Sequence, residues 1–101
     1  MFCLGEFLRV VTHGRLFDHP HTVREASDAV VRLLDSPSAT LLCPGERYWP
    51  LLAEAVTQGN ATGNLVFDAQ IVAVCREHGV RSLVTEDRDF DRFKGFATER
   101  I

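Results

Sequence analysis

The sequence lacks an apolar run long enough to cross a membrane. A transmembrane helix needs about 18 to 20 mostly apolar residues, and the N-terminal stretch MFCLGEFLRVV reaches Glu6 and Arg9 too early for the apolar centre of a signal peptide. No segment repeats, and none is low in complexity. We therefore expect a soluble protein of the cytoplasm with no membrane partner.

Cysteine and histidine are scarce, and neither has the spacing of a metal site. Cys3, Cys43 and Cys75 are far apart, odd in number and set among apolar neighbours, with no C-x-x-C pair. This pattern predicts buried, reduced thiols rather than disulfides or zinc ligands. His19 and His21 flank a proline in a predicted loop, which does not suggest a histidine-bound metal.

An excess of positive charge is also absent. The net charge is −3, which argues against a broad basic surface for non-specific nucleic-acid binding. Any nucleic-acid chemistry would need a cation to screen the site.

The apolar periodicity predicts helices alternating with short strands. With 101 residues, of which 46% are hydrophobic, the chain fits one domain over residues 1–101. The predicted helices are GEFLRVVT (5–12), TVREASDAVVRLLDSP (22–37), YWPLLAEAVTQG (48–59) and LVFDAQIVAVCREHG (65–79). The predicted strands are ATLLC (39–43), VRSLVT (80–85) and part of GFATERI (95–101). This order predicts an α/β layer fold with a mostly parallel sheet.

Local sequence signals support the predicted ends and apolar faces of two of these helices. Thr22 and Glu25 match a capping box, and the helix after them carries one apolar stripe, formed by Val23, Ala26, Val30, Leu33 and Leu34. In the third helix, Trp49, Leu52 and Val56 share a face, and Gly59 suits the C-terminal cap.

Two acidic residues stand where the helical pattern is apolar. Asp68 has Leu65 and Ile71 three residues away on either side, so a carboxylate there must be paired, hydrogen-bonded, protonated or metal-bound. The alternative is that Asp68 stabilises the helix N-terminus through the helix dipole. Glu6 has a similar setting, with an exposed pair to Arg9 as its alternative.

A third acidic position follows the strand 80–85. In the stretch LVTEDRDFDRF, Asp87 lies just past the carboxyl end of that strand, where parallel α/β sheets bind ligands. Asp87 or Asp89 can instead cap a short helix over DFDRF, and we assign Asp91 and Glu86 to solvent. If Glu6, Asp68 and Asp87 converge, their hard oxygen ligands suit Mg²⁺ or Mn²⁺, and hydrolysis of a phosphodiester is the chemistry such a site most often performs.

The segments GEFLRVVT, PGERYWPLL, GNLVFDAQIVAVCREHG and LVTEDRDFDRF resemble those of PIN-domain ribonucleases, in particular the VapC-type toxins of bacterial toxin–antitoxin pairs. The resemblance runs from about Gly5 to the end of the chain. It implies a three-layer α/β/α fold and a Mg²⁺- or Mn²⁺-dependent endoribonuclease that forms homodimers, with a cognate antitoxin in its active-site groove.

The resemblance also implies residue roles. Glu6, Asp68 and Asp87 match the catalytic, metal-binding acids, Asp89 matches a further metal ligand, and Thr85 matches the hydroxyl residue beside them. We expect these acids to hold the metal that activates water for attack on RNA. Arg88, Arg92 and Lys94 are candidates for steering phosphates, or are solvated partners of nearby acids.

The sequence departs from the family pattern at its start. The family opens with a buried strand that ends in an aspartate, and this chain begins after that place, so we expect an incomplete N-terminus. A start codon assigned too late is our preferred explanation over a fragment or a degenerate toxin. As given, the chain should cleave weakly or not at all and tend to associate.

Two other functions stay open. The first is an inactive, truncated toxin that serves as a dimerisation or antitoxin-binding module. The second is a receiver-like signalling domain, which needs an early acid pair and a late lysine at a strand end. Lys94 is the sole lysine of the chain and lies beyond the acidic stretch, which disfavours that reading.

Overall fold

The structure, a computed structural model, describes residues 2–13 and 21–99. For four of these it describes the backbone alone: Phe2, Gly5, Glu6 and Val11. The described elements are α1 (Phe2–Val11), α2 (Val23–Leu34), α3 (Tyr48–Gly59), α4 (Leu65–Glu77), β1 (Ser82–Val84), a 3₁₀ helix (Arg88–Arg92) and β2 (Ala97–Glu99). None of the described helices is both long enough and apolar enough to traverse a bilayer.

The chain divides into two compact units, Met1–Leu41 and Leu42–Ile101. In the first unit, α2 begins at the predicted capping box, because the Thr22 hydroxyl accepts from the Glu25 N–H and the Glu25 carboxylate accepts from the Thr22 N–H, each at 3.1 Å. The capping prediction is thereby confirmed.

The apolar stripe of α2 is less buried than its periodicity suggests. Ala26 is buried, but Val23, Leu33 and Leu34 are exposed. Within this unit α2 packs against α1, and one short helix covers only part of a stripe that is three turns long. The cysteine prediction is likewise wrong for Cys3, which lies on the exposed side of α1.

The second unit is built around the packing of α3 on α4. Its core joins small residues of these helices and of the loop between them to three aromatic rings from the C-terminal segment; the members are Ala55, Ala61, Ala69, Val72, Cys75, Phe90, Phe93 and Phe96. Small residues let the helices approach closely, and the rings fill the remaining space. Leu52 and Val56 pack against this core, whereas Trp49 is 71% exposed because it lies in the first turn of α3, before the packed part begins.

Gly59 performs a different task from the predicted one. The left-handed residue that ends α3 is Asn60, with φ 46° and ψ 47°. A Cβ on Gly59 would lie 2.6 Å from Cε1 of Phe93, so the glycine is required by the close approach of that ring rather than by the cap.

The sheet of the described residues pairs β1 with β2 in parallel, with Leu83 opposite Thr98. Both strands were predicted, and together with the helices they form an α/β fold. ATLLC (39–43) is not a strand, because no described strand lies beside it to share a backbone ladder.

The end of that segment is held in a loop by α4 instead. The carboxylate of Glu77 accepts from the N–H groups of Gly45 and Arg47 at 2.7 and 2.8 Å. The His78 Nε2 lies 2.8 Å from the carbonyl oxygen of Cys43. Cys43 is therefore exposed in a loop rather than buried in a strand, and of the three thiols only Cys75 is buried as predicted.

The substitution Gly59→Ala should reduce the free energy of unfolding by about 1–3 kcal/mol, because the added methyl group must displace a ring inside a packed core. Phe93 is 1% exposed and has no free space into which to move. Denaturant unfolding followed by circular dichroism measures the change.

The matched control is Asn60→Gly, one residue along the chain, where the left-handed backbone accepts glycine. We expect this variant to stay within about 0.5 kcal/mol of the parent. Equal stability of Gly59→Ala and the parent would show that the contact with Phe93 does not constrain the fold.

Candidate metal centre

The stretch after β1 turns sharply through two local hydrogen bonds. The N–H of Asp87 donates to the hydroxyl of Thr85 at 3.1 Å, and Oδ1 of Asp87 accepts from the N–H of Asp89 at 2.8 Å. Asp87 is therefore the N-cap of the 3₁₀ helix, as the capping alternative predicted. Thr85 is in turn tied to β2, since its N–H donates to the carbonyl of Glu99 at 2.9 Å.

Two buried rings hold this turn on the core. Phe90 and Phe93 are 5% and 1% exposed, and their ring centroids lie 6.4 Å apart. The aromatic and the acidic residues of DRDFDRF thus lie on opposite sides of the segment. The rings face the core, while Asp87 and Asp89 remain exposed.

Asp68 reaches the same place from another element. It lies in the first turn of α4 and is half-buried, next to the fully buried Ala69. The 3₁₀ helix contacts α4. As a result, each of Asp68, Asp87 and Asp89 offers a carboxylate oxygen, and these oxygens all lie within 4.8 Å of one another.

The electrostatics of Asp68 reflect this crowding. Burial raises the pKa of the Asp68 carboxyl above its usual value, and the charges of Asp87 and Asp89 raise it further. The guanidinium of Arg92 acts in the opposite direction and lowers the pKa of Asp68. Burial and repulsion prevail, so the net effect is a raised pKa for Asp68, and a divalent cation held beside it would favour the ionised form.

The donor set is well suited to a hard cation. Carboxylate oxygens are preferred ligands of Mg²⁺ and Mn²⁺, and one oxygen of Asp87 remains available after the other caps the 3₁₀ helix. No histidine or thiolate of the described residues joins the cluster.

The fourth predicted ligand, Glu6, lies on α1 in the first unit, and its side chain is outside the described residues. Its proposed place in the site therefore stays a prediction. Asp91 and Glu86 are both exposed, as expected, but Oδ1 of Asp91 also accepts from the Thr98 hydroxyl at 2.8 Å.

The three candidate phosphate-steering residues lie in different settings. Arg92 donates from Nη1 to the carbonyl of Gly59 at 2.9 Å, and its Nε is buried without a partner among the described residues. Arg88 is exposed at the start of the 3₁₀ helix. Lys94 lines a separate polar pocket that also contains Arg76 and Arg81.

Sequence reasoning missed the link between Arg92 and Gly59. The two residues are 33 positions apart, and neither belongs to a motif that predicts the contact. The only sequence signal is an arginine in the last turn of the 3₁₀ helix, which more often indicates a solvated side chain.

The sequence is similar to a known domain family and to several named proteins. Residues 2–95 match the PIN domain. Over 91 residues the chain is 38% identical to Ribonuclease VapC43 of Mycobacterium tuberculosis and to VapC ribonuclease Mb2897 of Mycobacterium bovis. It is 33% identical to Ribonuclease VapC48 of Mycobacterium tuberculosis over 89 residues.

These alignments cover most of this chain but less of the relatives. They include 90% of this chain for the first two proteins and 88% for the third, and in every case 61% of the relative's own length. Because the domain match takes in α1 to α4, β1 and the acidic turn, the chain belongs to the PIN domain family.

Proposed function

We propose that this chain is a metal-dependent endoribonuclease of the VapC type, the toxin of a type II toxin–antitoxin pair, which hydrolyses phosphodiester bonds of RNA. The observation that carries the proposal is the meeting of the Asp68, Asp87 and Asp89 carboxylates within 4.8 Å. The relatives' names supply the substrate class, since they are ribonucleases at 33–38% identity.

In this proposal Asp68, Asp87 and Asp89 hold Mg²⁺ or Mn²⁺, with Glu6 as a further ligand. When bound, the cation would act as a Lewis acid and would lower the pKa of a water molecule, so that this water becomes a nucleophile at neutral pH. The residues of the chain fix where this chemistry happens. The Thr85 hydroxyl accepts from the backbone N–H of Asp87, and the N–H of Asp89 donates to the Asp87 carboxylate and orients it.

Arg92 serves the same site by position rather than by contact with RNA. Its bond to the Gly59 carbonyl holds the guanidinium where it partly offsets the charge of Asp68. Arg88, which is exposed beside the cluster, is better placed to meet a phosphate. We assign Lys94 no role in the reaction, because it lines a different pocket.

The proposal also covers the domain organisation, the oligomeric state, the protein partner and the cellular location. Residues 1–101 would act as one PIN-like domain, form a homodimer and bind a cognate antitoxin in the cytoplasm. An antitoxin-binding module without catalysis is the rival function. A chain that binds the antitoxin, yet neither binds Mn²⁺ at the cluster nor cuts RNA, would establish the rival.

Replacing Asp68 or Asp87 with Asn should weaken Mn²⁺ binding by about 10-fold or more and remove the cleavage of single-stranded RNA that the parent shows. The amide keeps the shape but removes the charge and the better ligand oxygen, and a metal-assisted step loses several kcal/mol of transition-state stabilisation without its cation. Calorimetric titration with Mn²⁺ and cleavage of a labelled RNA measure the two effects.

Asp91→Asn is the matched control, because Asp91 lies on the same 3₁₀ helix but outside the cluster, and Asn can still accept from Thr98. It should bind Mn²⁺ and cut RNA like the parent. If Asp68→Asn and Asp87→Asn also behave like the parent, these acids are structural and the proposed site is wrong.

Stability in the absence of divalent cations should depend on pH through Asp68. Its pKa is raised on folding, so folding favours the protonated form. This contribution to the free energy of unfolding is complete below the ordinary carboxyl pKa and is lost as the pH rises through the raised value.

Unfolding at several pH values between about 3.5 and 7 should show that loss, and saturating Mn²⁺ should restore stability at the upper end of the range by binding the ionised cluster. Asp68→Asn should remove this part of the pH dependence. A parent and an Asp68→Asn variant with the same profile would contradict the crowding of charge described for the cluster.

A further inference from the structure

Phe67 presents an aromatic ring to solvent beside the carboxylate cluster. It is 63% exposed in the first turn of α4, immediately before Asp68. The other phenylalanines of the second unit, Phe90, Phe93 and Phe96, are all buried at 5% exposure or less. In this unit Phe67 is therefore the phenylalanine at the surface, and it directly precedes a member of the carboxylate cluster.

Helix geometry sets Phe67 beside Asp68 in the first turn of α4. Side chains on a helix tilt towards its N-terminus, and neighbouring residues are separated by about 100° around the axis. Phe67 and Asp68 consequently project from the same turn towards the same end of α4, on adjoining sides. Asp68 meets Asp87 and Asp89 there, so the exposed ring lies one helical position away from a member of the cluster.

Because the chain is negatively charged, RNA binding needs a source of affinity other than contacts with phosphate. RNA is an anion and would have to approach three carboxylates in a protein whose net charge is −3. Of the two arginines on the 3₁₀ helix, Arg92 is committed to the Gly59 carbonyl. Stacking of a base on an aromatic ring provides affinity that does not depend on phosphate charge and that every base can use.

We propose that Phe67 is a positioning residue that stacks an unpaired RNA base next to the phosphate held at the cluster; this rests on the nuclease function proposed above. A stacked base must expose its face, and bases in a duplex are covered on both sides. The ring thus selects single-stranded segments and loops over paired RNA.

A short single-stranded RNA that carries 2-aminopurine reports the contact, because stacking quenches the fluorescence of this base. Binding is measured with Ca²⁺ in place of Mg²⁺, so that it is observed separately from cleavage. Binding to the parent should quench it. Phe67→Ala should abolish the quenching and raise Kd about 10-fold or more, whereas Phe67→Trp should preserve both. In Mg²⁺ or Mn²⁺, Phe67→Ala should raise KM and leave kcat unchanged, since stacking acts equally in the ground state and the transition state.

Trp49→Ala is the matched control. Trp49 is 71% exposed and lies at the start of α3, where Arg47 bonds to Glu77 at the far end of α4 from Phe67. It should bind and cut RNA like the parent.

The outcomes separate this inference from the nuclease proposal. RNA that is bound with quenching, without cleavage and without Mn²⁺ binding at the cluster, would refute the nuclease and keep the stacking. RNA that is cut with the same KM by the parent and by Phe67→Ala would refute the stacking alone, as would a Phe67→Ala variant whose only change is in oligomeric state. A chain that binds no RNA would refute both.

Discussion

The ring of Phe93 lies against the bare backbone of Gly59, and the candidate site depends on this contact. Any Cβ at Gly59 would meet the ring at 2.6 Å, so a glycine allows the 3₁₀ helix to settle onto the end of α3. The same approach brings Arg92 within reach of the Gly59 carbonyl. With the 3₁₀ helix held there, Asp89 and the N-cap residue Asp87 meet Asp68 in the first turn of α4. A packing interaction between uncharged groups therefore determines where the charges meet.

The arrangement has an electrostatic cost that the fold sustains. Asp68 is partly buried and repelled by two neighbouring carboxylates, and its pKa rises accordingly. The helix dipole at the start of α4 favours a negative charge, and Arg92 offsets part of the repulsion, but neither removes it. In the proposed function, a cation bound by these carboxylates would relieve their repulsion, and this relief would add to the free energy of binding.

Local physics explains why much of the fold could be predicted. The capping box at Thr22, the helix Tyr48–Gly59 and the strands that became β1 and β2 all follow from patterns that involve residues close together in the sequence. The incorrect predictions concern segments whose structure depends on a second element packing or pairing beside them. The segment 39–43 has strand-like composition, but a strand exists only when another pairs with it. Leu33, Leu34 and Trp49 have helical periodicity, but burial needs a surface to cover them.

The sequence by itself determined the residue types of the candidate site and the elements that carry them. Acids on α4 and after β1, with phenylalanines between them, are readable because helical and strand periods are local properties of the chain. Only the tertiary structure decided that the carboxylates of Asp68, Asp87 and Asp89 come within 4.8 Å of one another while Asp91 accepts from Thr98. It also decided that Gly59 makes room for a ring and that Phe67 is exposed. Those outcomes depend on contacts between residues far apart in sequence, and such contacts are set by how the helices and rings pack together.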